Sequence, residues 1–436
     1  MKKDSIVANH ENCLISSPPR GLGSSMAESA APGQAPASLH QGLVLLFAVA
    51  CALSVANVYY AQPLLDAFAA GFGFSQAAVG IVITATQAGC ALALLFVVPL
   101  GDLTDRRRLT LLQAFLLCLV LAGVSLASSP AALLAGMLGL GLLGTAMTQG
   151  LIAYAASSAA PAERGRVVGV AQGGVVIGLL LARTLAGWIA DLSGWRAVYY
   201  VSAAMALLML VVLSRVLPMQ APPPRRLSYL QLLCSMFNML ANDRVLQIRG
   251  MLALLMFAAF SIFWSALVLP LSAPPYALSH TAVGAFGLVG VLGALAAARA
   301  GHWADRGHGQ RTTGLALMLL LLSWLALAQM SWSLWALGLG IVLLDLGGQA
   351  IHVTNQSMIF QTQPEAHSRL VACYMMFYAV GSGLGAIAST SAYAAAGWHG
   401  VCLLGAAVSL LALLFWALSL GHMPRQKAVA HGQGSD

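Results

Sequence analysis

Twelve apolar runs of about twenty residues, separated by short polar connections, constrain this chain more than any other feature. A helix rising 1.5 Å per residue needs about twenty residues to cross the ~30 Å hydrocarbon core of a bilayer. The runs lack strict alternation of apolar and polar positions, which argues against an outer-membrane barrel. Only 8% of residues are charged and the mean hydropathy is +0.84, too little polar surface for a water-soluble globule. The expectation is an all-α membrane protein with spans at 43–65, 77–100, 109–127, 132–156, 167–190, 197–216, 250–272, 282–299, 312–329, 333–356, 370–395 and 400–421.

The net charge of +8 does not point to nucleic acid. The basic residues cluster between apolar runs, where they meet lipid headgroups and set orientation. With the N-terminus inside, the inner connections hold twelve arginines, with Arg299 at the inner end of the eighth span, and the two tails five lysines or arginines, whereas the six outer connections hold only Arg196. Both termini are therefore expected in the cytosol. The only lysines, Lys2, Lys3 and Lys427, lie in the tails, so no P-loop lysine and no Schiff-base lysine is available in the body of the chain. Seven scattered cysteines without a C-x-x-C pair, and ten histidines without H-E-x-x-H, give no disulfide framework and no metal site. No cofactor is expected.

Residues 1–42, rich in Ser, Ala, Pro and Gly, are expected to form a disordered cytosolic tail, with Met26 as an alternative start. The longest internal connection, 217–249, opens with Pro222-Pro223-Pro224-Arg225-Arg226 and divides the spans into a bundle at 43–216 and a bundle at 250–421, followed by a cytosolic tail at 422–436. Three internal repeats run in the same order. Gly101-Asp102-Leu103-Thr104-Asp105-Arg106 returns as Gly301-His302-Trp303-Ala304-Asp305-Arg306, and Pro161–Arg166 returns as Pro364–Arg369. Gly194-Trp195-Arg196-Ala197-Val198 returns as Gly397-Trp398-His399-Gly400-Val401. The expected architecture is two pseudo-symmetric six-helix bundles.

Twelve spans in two parallel halves, with G-x-x-x-D-R after the second and eighth, resemble the major facilitator superfamily of secondary transporters. Gly101, Leu103, Asp105 and Arg106 match the family's loop motif; Gly301, Asp305 and Arg306 match it in the second half, with Trp303 in place of the leucine. The resemblance implies an inter-half latch at these two loops. The alternative is that Arg106, Arg107 and Arg108 only enforce orientation. The segment from Ala56 through Tyr59, Tyr60, Gln62 and Pro63 to Leu65 is similar to a subgroup of bacterial transporters described as exporters. The chain departs from drug:proton antiporters: the fourth span has no arginine, and Leu179 and Ala182-Arg183 break the fifth-span glycine-proline pattern.

An ionisable residue inside a span costs about 2.5–3.5 kcal/mol on insertion scales and so marks function by default. Two lie well within the runs, Arg183 and Asp345. Asp345 starts a stripe with Gln349, His352 and Gln356 at i, i+4, i+7 and i+11, one helical face. In the resembling family the tenth span lines the central cavity, so this stripe is expected to face water or substrate. Asp345 is read as a proton-coupling carboxylate or an interhelical hydrogen-bonding group. Arg183 is read as a substrate anchor or as its charge partner. Asn57, Tyr60, Gln149 and Trp264 complete the expected cavity set, with Gln87, Tyr374, Tyr378 and Ser382 at its edge.

The function implied is secondary active transport of a small solute across a bacterial inner membrane by alternating access, by a monomer, with proton-coupled efflux preferred. Proton-coupled uptake of a sugar or organic acid is the first alternative, and a membrane-embedded enzyme or non-transporting sensor the second; no nucleophile–base pair supports catalysis. Reporter fusions at Arg225 and Lys427 are expected to give cytosolic signals. A periplasmic signal from either one would overturn the twelve-span topology.

Overall fold

The computed structural model describes residues 39–160, 162–219, 228–360 and 367–422, with side chains for all of these except 293–302, 304, 305, 367 and 368. The tail up to residue 38, the run at 222–226, the repeat at 364–366, the end from 423 and the side chain of Asp305 lie outside the described residues. Among the described residues there is helix and connection but no strand. That is what a bilayer demands of an open chain, because helices satisfy every backbone group within one segment.

Among the described residues ten helical stretches are long and apolar enough to cross a membrane: Gln41–Phe72, Ile81–Asp102, Arg106–Ser125, Pro130–Ser158, Arg164–Ser193, Trp195–Val216, Arg244–Ser272, Arg306–Ser331, Leu334–Phe360 and Arg369–His422. The last holds two crossings, broken at Ala396 and Gly397. With the shorter-windowed helix His280–Trp303, the described residues hold twelve membrane helices, here called spans one to twelve.

The break between the last two spans is written in the sequence repeat. Gly194 (φ 79°) separates spans five and six, and Gly397 (φ 60°) separates spans eleven and twelve. Both take positive φ, which glycine adopts without a Cβ clash. The tryptophan after each glycine packs back into its own half: Trp195 lies edge-on to Phe68, and Trp398 donates to the Leu327 carbonyl at 2.9 Å.

The connection at 217–249 and the start of span seven differ from the sequence expectation. The connection at 217–249 contains a helix, Tyr229–Asn242, started by a capping box of Ser228 and Gln231. Its buried face, Met236 and Met239, joins an apolar cluster with Leu246, Ile359 and Tyr374. Span seven then begins at Arg244, capped by Asp243, so Arg249, counted above as a residue of the connection, lies inside a span and is fully buried.

Helix ends near Arg106–Arg108, Arg164, Arg215, Arg244, Arg306 and Arg369 define a basic face by connectivity; the opposite ends define the far face. The first six and last six spans meet towards the far face. A Cβ on Gly187 of span five would overlap the His280 carbonyl, and a Cβ on Gly284 of span eight would overlap that of Arg183. These backbones touch because nothing stands between them, as small residues permit in membranes. Thr184 Oγ1 donates to the Gly284 carbonyl at 3.1 Å. Spans two and eleven make the matching contact, with Thr84 Oγ1 donating to Gly383 at 2.7 Å and Thr390 Oγ1 to Ala77 at 3.0 Å.

Gly187→Leu is expected to force spans five and eight apart at the far face. Overpacking of this kind costs about 1–3 kcal/mol. The check is thiol labelling at Val283→Cys, a position only 4% exposed: a polar maleimide should react in the Gly187→Leu background and not with native Gly187. Equal protection in both would show that this contact does not hold the face closed.

Candidate functional site

The residues expected to carry function converge where spans one, five, seven, eight and ten meet. Arg183 projects from span five and is 3% exposed. Its Nε donates to Gln62 Oε1 on span one at 2.6 Å. Its guanidinium lies 4.1 Å from the Trp264 ring centroid on span seven and 5.3 Å from that of Tyr59 on span one. Two aromatic faces stabilise a desolvated cation through their quadrupoles, by up to about 2 kcal/mol for a good pair. Its Nη2 has no hydrogen-bond partner among the described residues.

Asp345, on span ten, is 5% exposed. Neither its Oδ1 nor Trp264 Nε1 makes a well-formed hydrogen bond among the described residues, although the Trp264 indole and the Asp345 carboxylate act on each other. Arg183 and Asp345 act on each other electrostatically, yet among the described residues no ion pair within 4.0 Å joins them. Both rest on span eight. A Cβ on Gly287 would contact the Arg183 side chain at 3.4 Å, and one on Gly290 would overlap Asp345 Oδ2. Gly287 and Gly290 are three residues apart, on one helical face, so the two charges sit side by side along a groove without side chains.

A second layer surrounds this pair. Tyr59 and Tyr378 share a hydroxyl hydrogen bond at 2.8 Å between spans one and eleven. Gln87 Nε2 donates to Tyr378 at 3.4 Å. Towards the far face, a small cavity bounded by Gln62, Pro63, Arg183, Trp264, Val283 and Gly284 lies against the charged layer.

Other expected residues fall elsewhere. Asn57 is spent on packing: it donates to the Leu53 carbonyl at 2.7 Å and accepts from Ser202 at 2.6 Å. Tyr60 is buried beside it in sequence, and Gln149 is half-buried on span four, with no bond from either to the charged pair. Gln349, His352 and Gln356 continue the Asp345 stripe and are half-buried; His352 Nδ1 lies 3.0 Å from the Tyr374 hydroxyl. Ser382 contributes its carbonyl to Ser261 at 2.7 Å. At the basic face, Asp105 caps its own helix by accepting from the Arg107 and Arg108 backbones. Arg106 donates to Ala153 at 2.7 Å and to Asp102 at 3.1 Å. All these bonds stay within the first six spans. Gly101 has open space around it, and Arg306 is exposed.

The sequence reading missed Gln62 as the hydrogen-bond partner of Arg183, and the glycine groove of span eight. It also missed Arg249, whose Nη1 donates to Thr313 at 2.9 Å and Asn355 at 3.3 Å, tying span seven to spans nine and ten. The spacing Gly284, Gly287 and Gly290 was the available signal for the groove.

The family model described as Major Facilitator Superfamily matches residues 45–299 and 250–435. The uncharacterized transporter YgaY of Escherichia coli is 44% identical over 380 residues, covering 87% of this chain and 95% of that protein. The purine ribonucleoside efflux pump NepI of Escherichia coli is 32% identical over 179 residues, 39% of this chain and 43% of NepI. Among solved structures, a bacterial homologue of the human lysosomal transporter Spinster, in an inward-facing and occupied conformation, matches with a TM-score of 0.70 at 14% identity, covering 88% of this chain and 97% of that one.

Gly290→Ala is expected to displace the Asp345 carboxylate and to destabilise the detergent-solubilised protein by about 1–3 kcal/mol, the usual cost of overpacking. Adding Asp345→Ala should relieve that loss, because the atom in collision is removed. Loss of stability that the double variant does not relieve would mean the groove contact is not what Gly290 serves.

Proposed function

This chain belongs to the major facilitator superfamily, and from that premise we propose that it exports a small solute across a bacterial inner membrane in exchange for protons. It is a multi-pass transporter, not an enzyme. In this reading both termini and the basic face are cytosolic, in keeping with the arginine bias. Asp345 is the coupling carboxylate, and Arg183 and Trp264 face the substrate.

One observation carries the reading. Arg183 Nη2, Trp264 Nε1 and Asp345 Oδ1 come from three spans in both halves, are buried, and make no well-formed hydrogen bond among the described residues, although Trp264 and Asp345 act on each other across the gap. Buried polar atoms ordinarily find partners, and unsatisfied ones at the junction of two moving halves are what a transported molecule would satisfy. Two donors and one acceptor suit a solute that offers both acceptors and a donor. A neutral Asp345 holds the proton; a charged one turns to Arg183. Substrate at Arg183 and the proton at Asp345 would therefore compete, which is the logic of exchange. The similarity to an efflux pump over 179 residues supports export. Uptake of a sugar or an organic acid is the second reading, favoured by the free Nη2 of Arg183, which would suit a carboxylate.

The test is a solute screen in everted vesicles with an imposed pH gradient, followed by Asp345→Asn. Asn keeps shape and hydrogen-bonding capacity but cannot titrate. Gradient-driven flux should fall to that of vesicles lacking the carrier, while membrane insertion and solute binding persist. Full gradient-driven flux in the Asp345→Asn variant would make Asp345 a structural residue. Gradient-driven movement in the opposite sense would favour uptake.

A further inference from the structure

At the far face one side chain of the last six spans is held by two carboxylates of the first six. His280 opens span eight. Its Nδ1 lies 2.9 Å from Asp191 Oδ1, on span five, and its Nε2 lies 3.1 Å from both oxygens of Asp66, on span one. Ionised carboxylates only accept hydrogen bonds, so both ring nitrogens donate and the ring is an imidazolium. Asp191 also accepts from the backbone N–H of His280 at 3.0 Å and of Thr281 at 2.8 Å, and from Thr281 Oγ1 at 2.6 Å. It thus caps the start of span eight from the other half, where a negative charge is favoured.

We propose that His280, Asp66 and Asp191 form a second proton-binding site, occupied while the two halves are closed at the far face and emptied into the outer solution when they part. The site is reachable: the three side chains are 24–28% exposed, and His280 stands two residues ahead of the apolar run. No other titratable group among the described residues acts on the ring. Arg183 lies two turns deeper on span five with its side chain turned to Gln62 and Trp264. Arg196 stacks on Trp195 and donates to Ala127.

The chemistry is a proton exchange with water. Parting the halves breaks the two imidazolium–carboxylate contacts; the proton leaves the ring for outer water, and the carboxylates become hydrated. The hydrogen bond to Asp66, with the help of Asp191, holds the imidazole proton up to about 9 in the closed state, against an ordinary value of about 6.5 once freed. A raised value makes the contribution to closure complete below about 6.5 and lost as the outer pH rises through about 9. Between those limits one proton is released per opening, so the open-to-closed ratio rises up to about tenfold per pH unit. Proton and solution are the same on release and rebinding, so this site sets the resting side by outer pH and adds nothing to the coupling ratio. The inference rests on the proposed orientation for which solution is the outer one.

The experiment measures spin-label distances between Leu126→Cys and Trp332→Cys, at exposed far-face ends of spans three and nine, in a background without the native cysteines. In proteoliposomes the pH is varied on one side at a time. The long-distance population should rise up to tenfold per unit between about 6.5 and about 9 with far-face pH only. His280→Gln should abolish the slope, and Asp66→Asn should move its upper limit to lower pH. Asp345→Asn should keep a far-face slope that His280→Gln still removes. A pH-independent native protein, or an unchanged slope in His280→Gln, overturns the proposal. A slope lost in Asp345→Asn but kept in His280→Gln overturns it too, and would assign the pH response to the coupling carboxylate, leaving the proposed export standing.

Discussion

Hydrocarbon gives no hydrogen bonds, and the organisation of this protein follows from that constraint. Backbone groups are satisfied within helices, and the few polar side chains placed at depth must find each other, an aromatic face or a transported molecule. Arg183 illustrates the economy of the solution. One nitrogen is bonded to Gln62, the planar cation lies over the rings of Trp264 and Tyr59, and one nitrogen makes no hydrogen bond among the described residues. Arg249 meets the same problem differently, its Nη1 donating to Thr313 and Asn355 within the last six spans while Nε and Nη2 make no hydrogen bond among the described residues. It binds three helices of one half, whereas Arg183 bridges the two halves.

That difference separates structure from function among the buried polar groups. A group whose partners all lie in one half keeps them when the halves rock, and so can hold the bundle without gating it. Asn57 with Ser202 and Arg249 with Asn355 are of this kind. Arg183 on Trp264, Tyr59 with Tyr378, and Thr84 with Gly383 all cross between halves and change whenever the halves move. Alternating access needs such contacts to be individually modest, since the two states must lie within a few kcal/mol of each other. Neutral hydrogen bonds, each worth about 0.5–1.5 kcal/mol net, suit that need.

Much of this was legible in the sequence, for physical reasons that also explain the rest. Hydropathy reports burial in lipid, so the twelve spans could be read, and against that background Arg183 and Asp345 stood out as charges with no water near. Gly194 and Gly397 were legible as repeats, and the backbone gives both a positive φ. Hydropathy is blind where polar residues are ordinary. Asp66, Asp191 and His280 sit at helix ends, where polar side chains are expected anyway, and only three-dimensional proximity joins them. Arg249 follows a polar stretch, so the apolar window opens at Gly250; the Asp243 cap that starts the helix earlier carries no hydropathy signal. The capping box of Ser228 and Gln231 was visible in the letters but stood in a connection read only as the linker between the two bundles.

The interface of spans five and eight ties these pieces together mechanically. Arg183, Gly187 and Asp191 recur at i, i+4 and i+8 on span five, one face of the helix. Asp191 holds His280 and caps span eight; Gly187 lies against the His280 carbonyl; the Arg183 carbonyl lies against Gly284. One turn deeper, the Arg183 side chain rests on Gly287, and Gly290 beyond it carries Asp345. A single line of contacts thus runs from the solvent-exposed clasp to the buried charges. Packed helices do not deform gradually, because interiors are close to crystalline density. Opening the clasp must therefore displace span five against span eight as a body, and Arg183 moves with it relative to Asp345. The distance between the two charges, which decides how strongly each acts on the other, is in this way set by whether the far face is open or closed.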